Sequence, residues 1–294
     1  MTSLSILPYE APLGARIEGI DLHRPIDDGV FHQIEAALHA YGVIVFPRQR
    51  LDDASQKAFS LRFGEELDIH PLRDFAKPEN PEVFVLSNIV EDGRPIGASD
   101  AAQYWHTDLS YTSHPSRVSL LYAIEVPRDE SGSPLGDTEF AATYKAYQDL
   151  DEPTRKRIEG RHAFHDARKA KTKSKTSHFG KPLSGDVEER LRLVRHPIVR
   201  THPYAGTRCL YVNEGYTTRI VGLSKEEGDA LLAELKAHAI QPQFQHTHKW
   251  QVGDLLMWDN CSVQHKAVPN YSLPQRRLME RTTVLGAAEI GTLA

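Results

Sequence analysis

His106 and Asp108 stand one residue apart in the stretch "YWHTDLSY", between bulky aromatic residues. In an extended backbone, side chains two apart project to the same side. An imidazole nitrogen and a carboxylate oxygen would then point together, with Thr107 turned away. Such a pair can grip one edge of a divalent cation. Alone, the spacing is a weak signal, because a chain with 15 histidines yields such pairs at its surface too. A third ligand is needed, and His265 in "WDNCSVQHKAV" is the best candidate, since a strand over "GDLLMWDN" would return the chain across a barrel-like fold. Two histidines and one carboxylate on one face of an octahedron leave three positions open, the arrangement of non-haem Fe(II) oxygenases. The rival pair, His246 and His248 in "QHTHKW", has no acidic partner or motif and reads as a strand edge; His202 in "RTHPYAG" reads as structural.

Arg277 and Arg281 follow in "PQRRLMERTTVLG", four apart in a strand-like stretch, so they share a face. Guanidinium groups pair bidentately with carboxylates. Turned inward without a partner they would be costly, so a bound anion is their natural companion; turned outward they would simply face water. The run "ARKAKTKSKT" sets Lys169, Lys171, Lys173 and Lys175 at alternate positions. It reads either as a solvated loop or as a lid around residues 165–190 whose positive field attracts an anionic substrate.

These residues need a frame. "DDGVFHQIEAALHAYG" predicts a helix with an aspartate cap and a closing Gly42, and it runs into the buried-strand pattern "VIVFP". A second helix is expected over "DDASQKAFSLRFG", ended by Gly64. "EVFVLSNI" and "SLLYAIEV" read as strands. The stretch from "TYKAYQDL" to "RKRIEG" reads as helical, and "LVRHPIVRTH" and "RCLYVNE" return to strand character. "LSKEEGDALLAELKAHA" is a helix with Ser224 and Glu227 in capping-box spacing. The remainder, "FQHTHKWQVGDLLMWDN" and "RRLMERTTVL", is strand, turn and strand. Many short strands with Gly and Pro turns point to a mainly β fold with flanking helices, a sandwich or jelly roll. With no repeat and no low-complexity linker, one domain over residues 1–294 is expected.

The bulk properties agree. A chain of 294 residues can bury a sizeable core, and 40% hydrophobic with 26% charged residues is ordinary for a globular protein. A net charge of −5 disfavours a nucleic-acid binder. No apolar run approaches the roughly 20 residues that span a bilayer, so no membrane partner is expected. The first residues lack a basic region followed by an apolar core. Two cysteines, Cys209 and Cys261, make no disulfide framework, and a cytoplasmic location is the expectation.

The ordered set "WHTD", "GDTEF", "RTHPYAGTRCLYVNEGYTTRI", "WDN" with "QH", and "PQRRLMERTTVLG", preceded by "LGARIEGIDL", closely resembles the taurine dioxygenase and phenoxyacetate-herbicide dioxygenase family, and does so over nearly the whole chain. The resemblance implies a double-stranded β-helix (a cupin-like jelly roll) and an oxygenase dependent on Fe(II), 2-oxoglutarate and O2. It also implies that His106, Asp108 and His265 match the iron ligands, that Thr138 in "GDTEF" matches a hydroxyl bonded to 2-oxoglutarate, and that Arg277 matches the arginine on its distal carboxylate. Arg281 matches an arginine near the cosubstrate that grips the anionic end of the primary substrate. His70 in "FGEELDIHPLRD" and Tyr216 in "NEGYTTRI" match substrate-contacting positions of the taurine branch.

Departures bear on the substrate. Arg73 stands where the taurine branch has a tyrosine, Lys171 where it has an aromatic wall, and Cys261 where "WDNR" is common; the expected polar contact ahead of "YWHTD" falls near Ala101. A small organic anion other than taurine is therefore expected, held by Arg281 with His70 or Arg73: a sulfonate, a sulfate ester or an aryloxyalkanoate. Relatives form dimers or tetramers, so the resemblance implies a homodimer or homotetramer. Two other classes fit parts of the pattern: a zinc hydrolase built on the same three ligands, and a non-catalytic jelly-roll protein that binds an anion.

Overall fold

The computed structural model describes residues 4–70, 73–99, 102–171 and 193–287. Its frame is an eight-stranded sheet, ordered Ser5–Pro8, Ala15–Glu18, Val43–Phe46, Leu255–Asp259, Ser116–Glu125, Leu278–Leu285, Asn80–Ser87, Ala76–Lys77. Neighbours are antiparallel except Ala15–Glu18 beside Val43–Phe46. A smaller sheet places Thr138–Ala142 between Gln245–His248 and Val263–Ala267. The two sheets form the jelly roll.

Val43–Phe46 shows why the central strands read as unbroken apolar runs: all four residues are buried, because both faces of the sheet are covered. Alternate side chains enter different cores. Ile44, Phe46, Leu120, Leu255 and Met257 pack with Phe31, Ile34 and Leu38 of the Asp28–Tyr41 helix. Val43, Val45, Leu121, Leu256 and Trp258 pack with Phe140, Trp250 and Val263 around the smaller sheet. A third core joins Ile158, Ile198, Leu210 and Ile220 to Leu231 and Leu235 of the Lys225–Ala239 helix.

The helix ends follow their chemistry. Asp27 accepts the Val30 N–H at 2.8 Å, and Gly42 closes the first helix in the left-handed region at φ 71°. Ser224 and Glu227 form the expected reciprocal cap. One boundary differs. The second helix, expected to run to Gly64, is Asp53–Ser60. Beyond it the Arg62 and Phe63 N–H groups bond to the carbonyls of Phe59 and Ser60, three residues back, and tighten the chain into a turn. Gly64 serves another purpose: a Cβ there would stand 2.6 Å from Val284 Cγ1.

Of the lysine run, Lys169 and Lys171 fall in the short helix Arg168–Lys171, whereas Lys173 and Lys175 lie outside the described residues. Lys169 Nζ donates to the Thr217 carbonyl at 2.7 Å, so this lysine is tethered to the body of the fold.

Candidate metal centre

His106 and His265 face each other across a single antiparallel bridge. Each backbone N–H donates to the other's carbonyl, at 3.0 and 2.9 Å. That pairing sets the two rings side by side, centroids 4.1 Å apart. His265 lies on the Val263–Ala267 strand, which follows the expected "GDLLMWDN" strand. His106 does not lie on a strand. The chain turns directly after it, through Leu109 at φ 54°, and the turn brings the Asp108 carboxylate back to the rings. The expected convergence thus arises from a bridge followed by a turn, not from strand alternation.

His106 Nε2 is 3.5 Å from Asp108 Oδ1, and His265 Nε2 is 3.9 Å from Asp108 Oδ2. The three ligand atoms lie within 4.8 Å of one another, and all three residues are buried. Each fits a divalent metal. His106 Nδ1 donates to the Tyr104 carbonyl at 3.0 Å, which fixes the ring and turns Nε2 toward Asp108. Burial, then His106, push the His265 pKa well below its ordinary value, so the ring is neutral. Burial acts to raise the Asp108 pKa, but Arg281, His265 and His106 outweigh it and hold the carboxyl well below the usual range. Neutral imidazoles and an ionised carboxylate are the forms that bind metal.

The arginines part company. Arg281, on the Leu278–Leu285 strand, is not unpaired: its Nη1 lies 3.2 Å from Asp108 Oδ1. Arg277 precedes that strand and has no ion-pair partner among the described residues. Its backbone is held by Ser87 and Asn88, its Nε is buried without a hydrogen bond, and its guanidinium lies 5.7 Å from the Tyr271 ring centre. A sheet irregularity at Leu278 and Met279 separates them. Gly136, two residues before Thr138, comes close to Arg277: a Cβ on it would approach Arg277 Nε to 3.2 Å. Trp250 Nε1 lies 3.0 Å from Thr138 Oγ1. An indole N–H can only donate, so Thr138 accepts it and keeps its own proton for an acceptor. A buried cation and a free hydroxyl donor are groups that suit carboxylates.

The remaining site residues gather around Phe84 and the tyrosines. His70 packs on Phe84 with centroids 4.2 Å apart, and Arg281 Cζ lies 5.4 Å from the same ring. Tyr216 is 6.0 Å from His106 and 4.5 Å from Tyr111, ring to ring, with its hydroxyl 3.4 Å from that of Tyr104. Arg73 begins a single 3-10 turn, Arg73–Phe75; its side chain, and the residue at 101, lie outside what is described.

Other histidines resolve differently. His248, expected to lack an acidic companion, has Asp254 at 3.2 Å. His39, His202 and Asp259 form a second trio with metal-like spacing. His202 Nδ1, however, accepts the N–H groups of Tyr204 and Ala205, so its proton is on Nε2 and goes to Asp259, 2.6 Å away. No lone pair remains for a metal. Ser119, Trp250 and the role of Asn260 escape sequence reasoning, though Asn260 is the last residue of the flagged "WDN" motif.

A family described as "Taurine catabolism dioxygenase TauD, TfdA family" matches residues 5–283. The chain belongs to this family. Among TauD/TfdA relatives, pentalenolactone F synthase from Streptomyces arenae is 33% identical over 279 residues, 92% of this chain and 91% of that one. The alpha-ketoglutarate-dependent 2,4-dichlorophenoxyacetate dioxygenase of Cupriavidus pinatubonensis is 33% identical over 299 residues, 96% of this chain and 98% of that one. The crystal structure of AAD-2 in complex with Mn(II) and N-oxalylglycine superposes with a TM-score of 0.80 at 29% identity, covering 97% of this chain and 98% of that one. As a TauD/TfdA member the chain is a non-haem Fe(II), 2-oxoglutarate-dependent dioxygenase on a jelly roll. No helix among the described residues is long and apolar enough to cross a membrane.

Proposed function

We propose that this enzyme couples decarboxylation of 2-oxoglutarate to hydroxylation of a small organic anion, with His106, Asp108 and His265 holding the iron. Bound Fe(II), with 2-oxoglutarate and O2, supplies the oxidation of a C–H bond, with succinate and CO2 released. The observation that carries the reading is the convergence of two buried histidine rings and the Asp108 carboxylate, held well below its usual pKa. Thr138 donates its hydroxyl proton to a carboxylate of 2-oxoglutarate and Arg277 pairs with its distal carboxylate. The buried Trp105, Leu109, Tyr111 and Tyr216 keep water from the metal. Arg281 meets the anionic end of the substrate, with His70, Tyr216 and Arg73 completing its pocket. A sulfonate, a sulfate ester and an aryloxyalkanoate all suit that chemistry, and the Cupriavidus relative is named for an aryloxyalkanoate. Arg277 and Thr138 give a zinc hydrolase no particular support, and a non-catalytic anion binder would bind the ligand without turnover.

The catalytic unit is taken as a single domain, assembled as a homodimer or homotetramer in the cytoplasm; light scattering on the purified enzyme decides the assembly. The functional test is succinate release with Fe(II), 2-oxoglutarate and a panel of the three anion classes. His106→Ala and Asp108→Ala are expected to abolish it, and full activity in either variant would overturn the assignment.

A further inference from the structure

Asp108 has a support built from residues with no place in the ligand set. The Asp108 N–H faces Asn260 Oδ1 at 3.2 Å. A backbone N–H can only donate, which settles the orientation of the Asn260 amide: oxygen toward Asp108, nitrogen toward Ser116 and Ser119. Asn260 Nδ2 then donates to Ser116 Oγ at 2.9 Å and Ser119 Oγ at 3.0 Å. Ser119, occupied as an acceptor, has one proton to give, and Asp108 Oδ2 lies 2.7 Å away. The Ser116 proton goes elsewhere, to the Val284 carbonyl at 3.3 Å. Asn260 and both serines are at most 1% exposed, so no water competes for these bonds. Asp108 Oδ1 has a separate donor in Arg281.

We infer that Asn260 and Ser119 are positioning residues for the metal: Asn260 locks the Ser119 hydroxyl as a donor, and that donor orients the Asp108 carboxylate for metal binding. The inference rests on reading His106, Asp108 and His265 as the ligands. Outer partners of ligating groups typically contribute 10- to 100-fold in metal affinity. Ser119→Ala keeps the strand and removes only the donor, while Ser116→Ala removes the other arm of the same amide and leaves the Asp108 bond intact.

Calorimetric titration with Mn(II), without 2-oxoglutarate, is the test, alongside the melting temperature of each metal-free protein. Ser119→Ala is expected to weaken Mn(II) binding about 10- to 100-fold, with the metal-free melting temperature close to wild type. Ser116→Ala is expected to bind Mn(II) as the wild type does. Equal affinity in Ser119→Ala, or an equal loss in Ser116→Ala, would overturn the inference. So would a drop in metal-free stability that accounts for the loss. A wild-type protein that does not bind Mn(II) would instead overturn the assignment of the metal ligands.

Discussion

At the scale of single residues, the two arginines that the sequence pairs differ in their partners. Arg277 lacks an ion-pair partner among the described residues, and burial lowers its pKa without a carboxylate to offset it. Arg281 already leans on Asp108. With Fe(II) saturating, Arg277→Ala should raise the KM for 2-oxoglutarate about 10- to 100-fold, since hydrogen bonds to a charged group contribute about 1.5–3 kcal/mol. Arg281→Ala should raise the KM of the organic substrate more than that of 2-oxoglutarate. Steady-state kinetics with each reactant varied in turn check both, and equal effects of Arg281→Ala on the two would assign it to the cosubstrate. The candidate ligands are legible in the chain because an H-x-D pair and a distant histidine sit in recognisable company. The Arg281–Asp108 contact and the Trp250–Thr138 bond are not, because their partners lie 173 and 112 residues apart and no local pattern encodes them.

At the scale of elements, what places the histidines is the Val263–Ala267 strand and the turn after His106. This strand is not legible in the sequence, where strand character is read only up to the preceding "GDLLMWDN"; nor is the turn, because "WHTDLS" carries no glycine or proline to announce it, and Leu109 adopts a positive φ unaided. Gly42 ties this region to the first helix. It caps that helix at φ 71°, and a Cβ on it would stand 2.8 Å from Val263 Cγ1, on the strand that carries His265. Gly42→Ala should cost about 1–3 kcal/mol through overpacking, in addition to the strained backbone. Thermal denaturation measures the loss, and metal binding should weaken with it if the Val263 strand shifts. An unchanged melting temperature would show that the contact relaxes freely.

At the scale of the molecule, buried imidazoles link folding to acidity. Burial pushes the pKa of His196 and of His246 down to about 4, and that of His165 well below its ordinary value. In the unfolded chain these groups take up protons near pH 6.5. The unfolded state therefore binds more protons than the folded one between about pH 6.5 and 4, and stability falls as pH drops through that window. The metal-free protein should melt at progressively lower temperature below about pH 6.5, with a shallower slope in His196→Gln. A flat profile would mean that these rings are not buried neutral. The jelly roll itself was legible from strand patterns, since both faces of its central strands are covered.

The central claim is that three residues hold iron beside a chelating oxo acid. The direct measurement is anaerobic: Fe(II), then 2-oxoglutarate, added to metal-free enzyme while the visible spectrum is recorded. A weak charge-transfer band that requires both additions, and is lost in Asp108→Ala, is the expected result. Tight metal binding with no such band would contradict it.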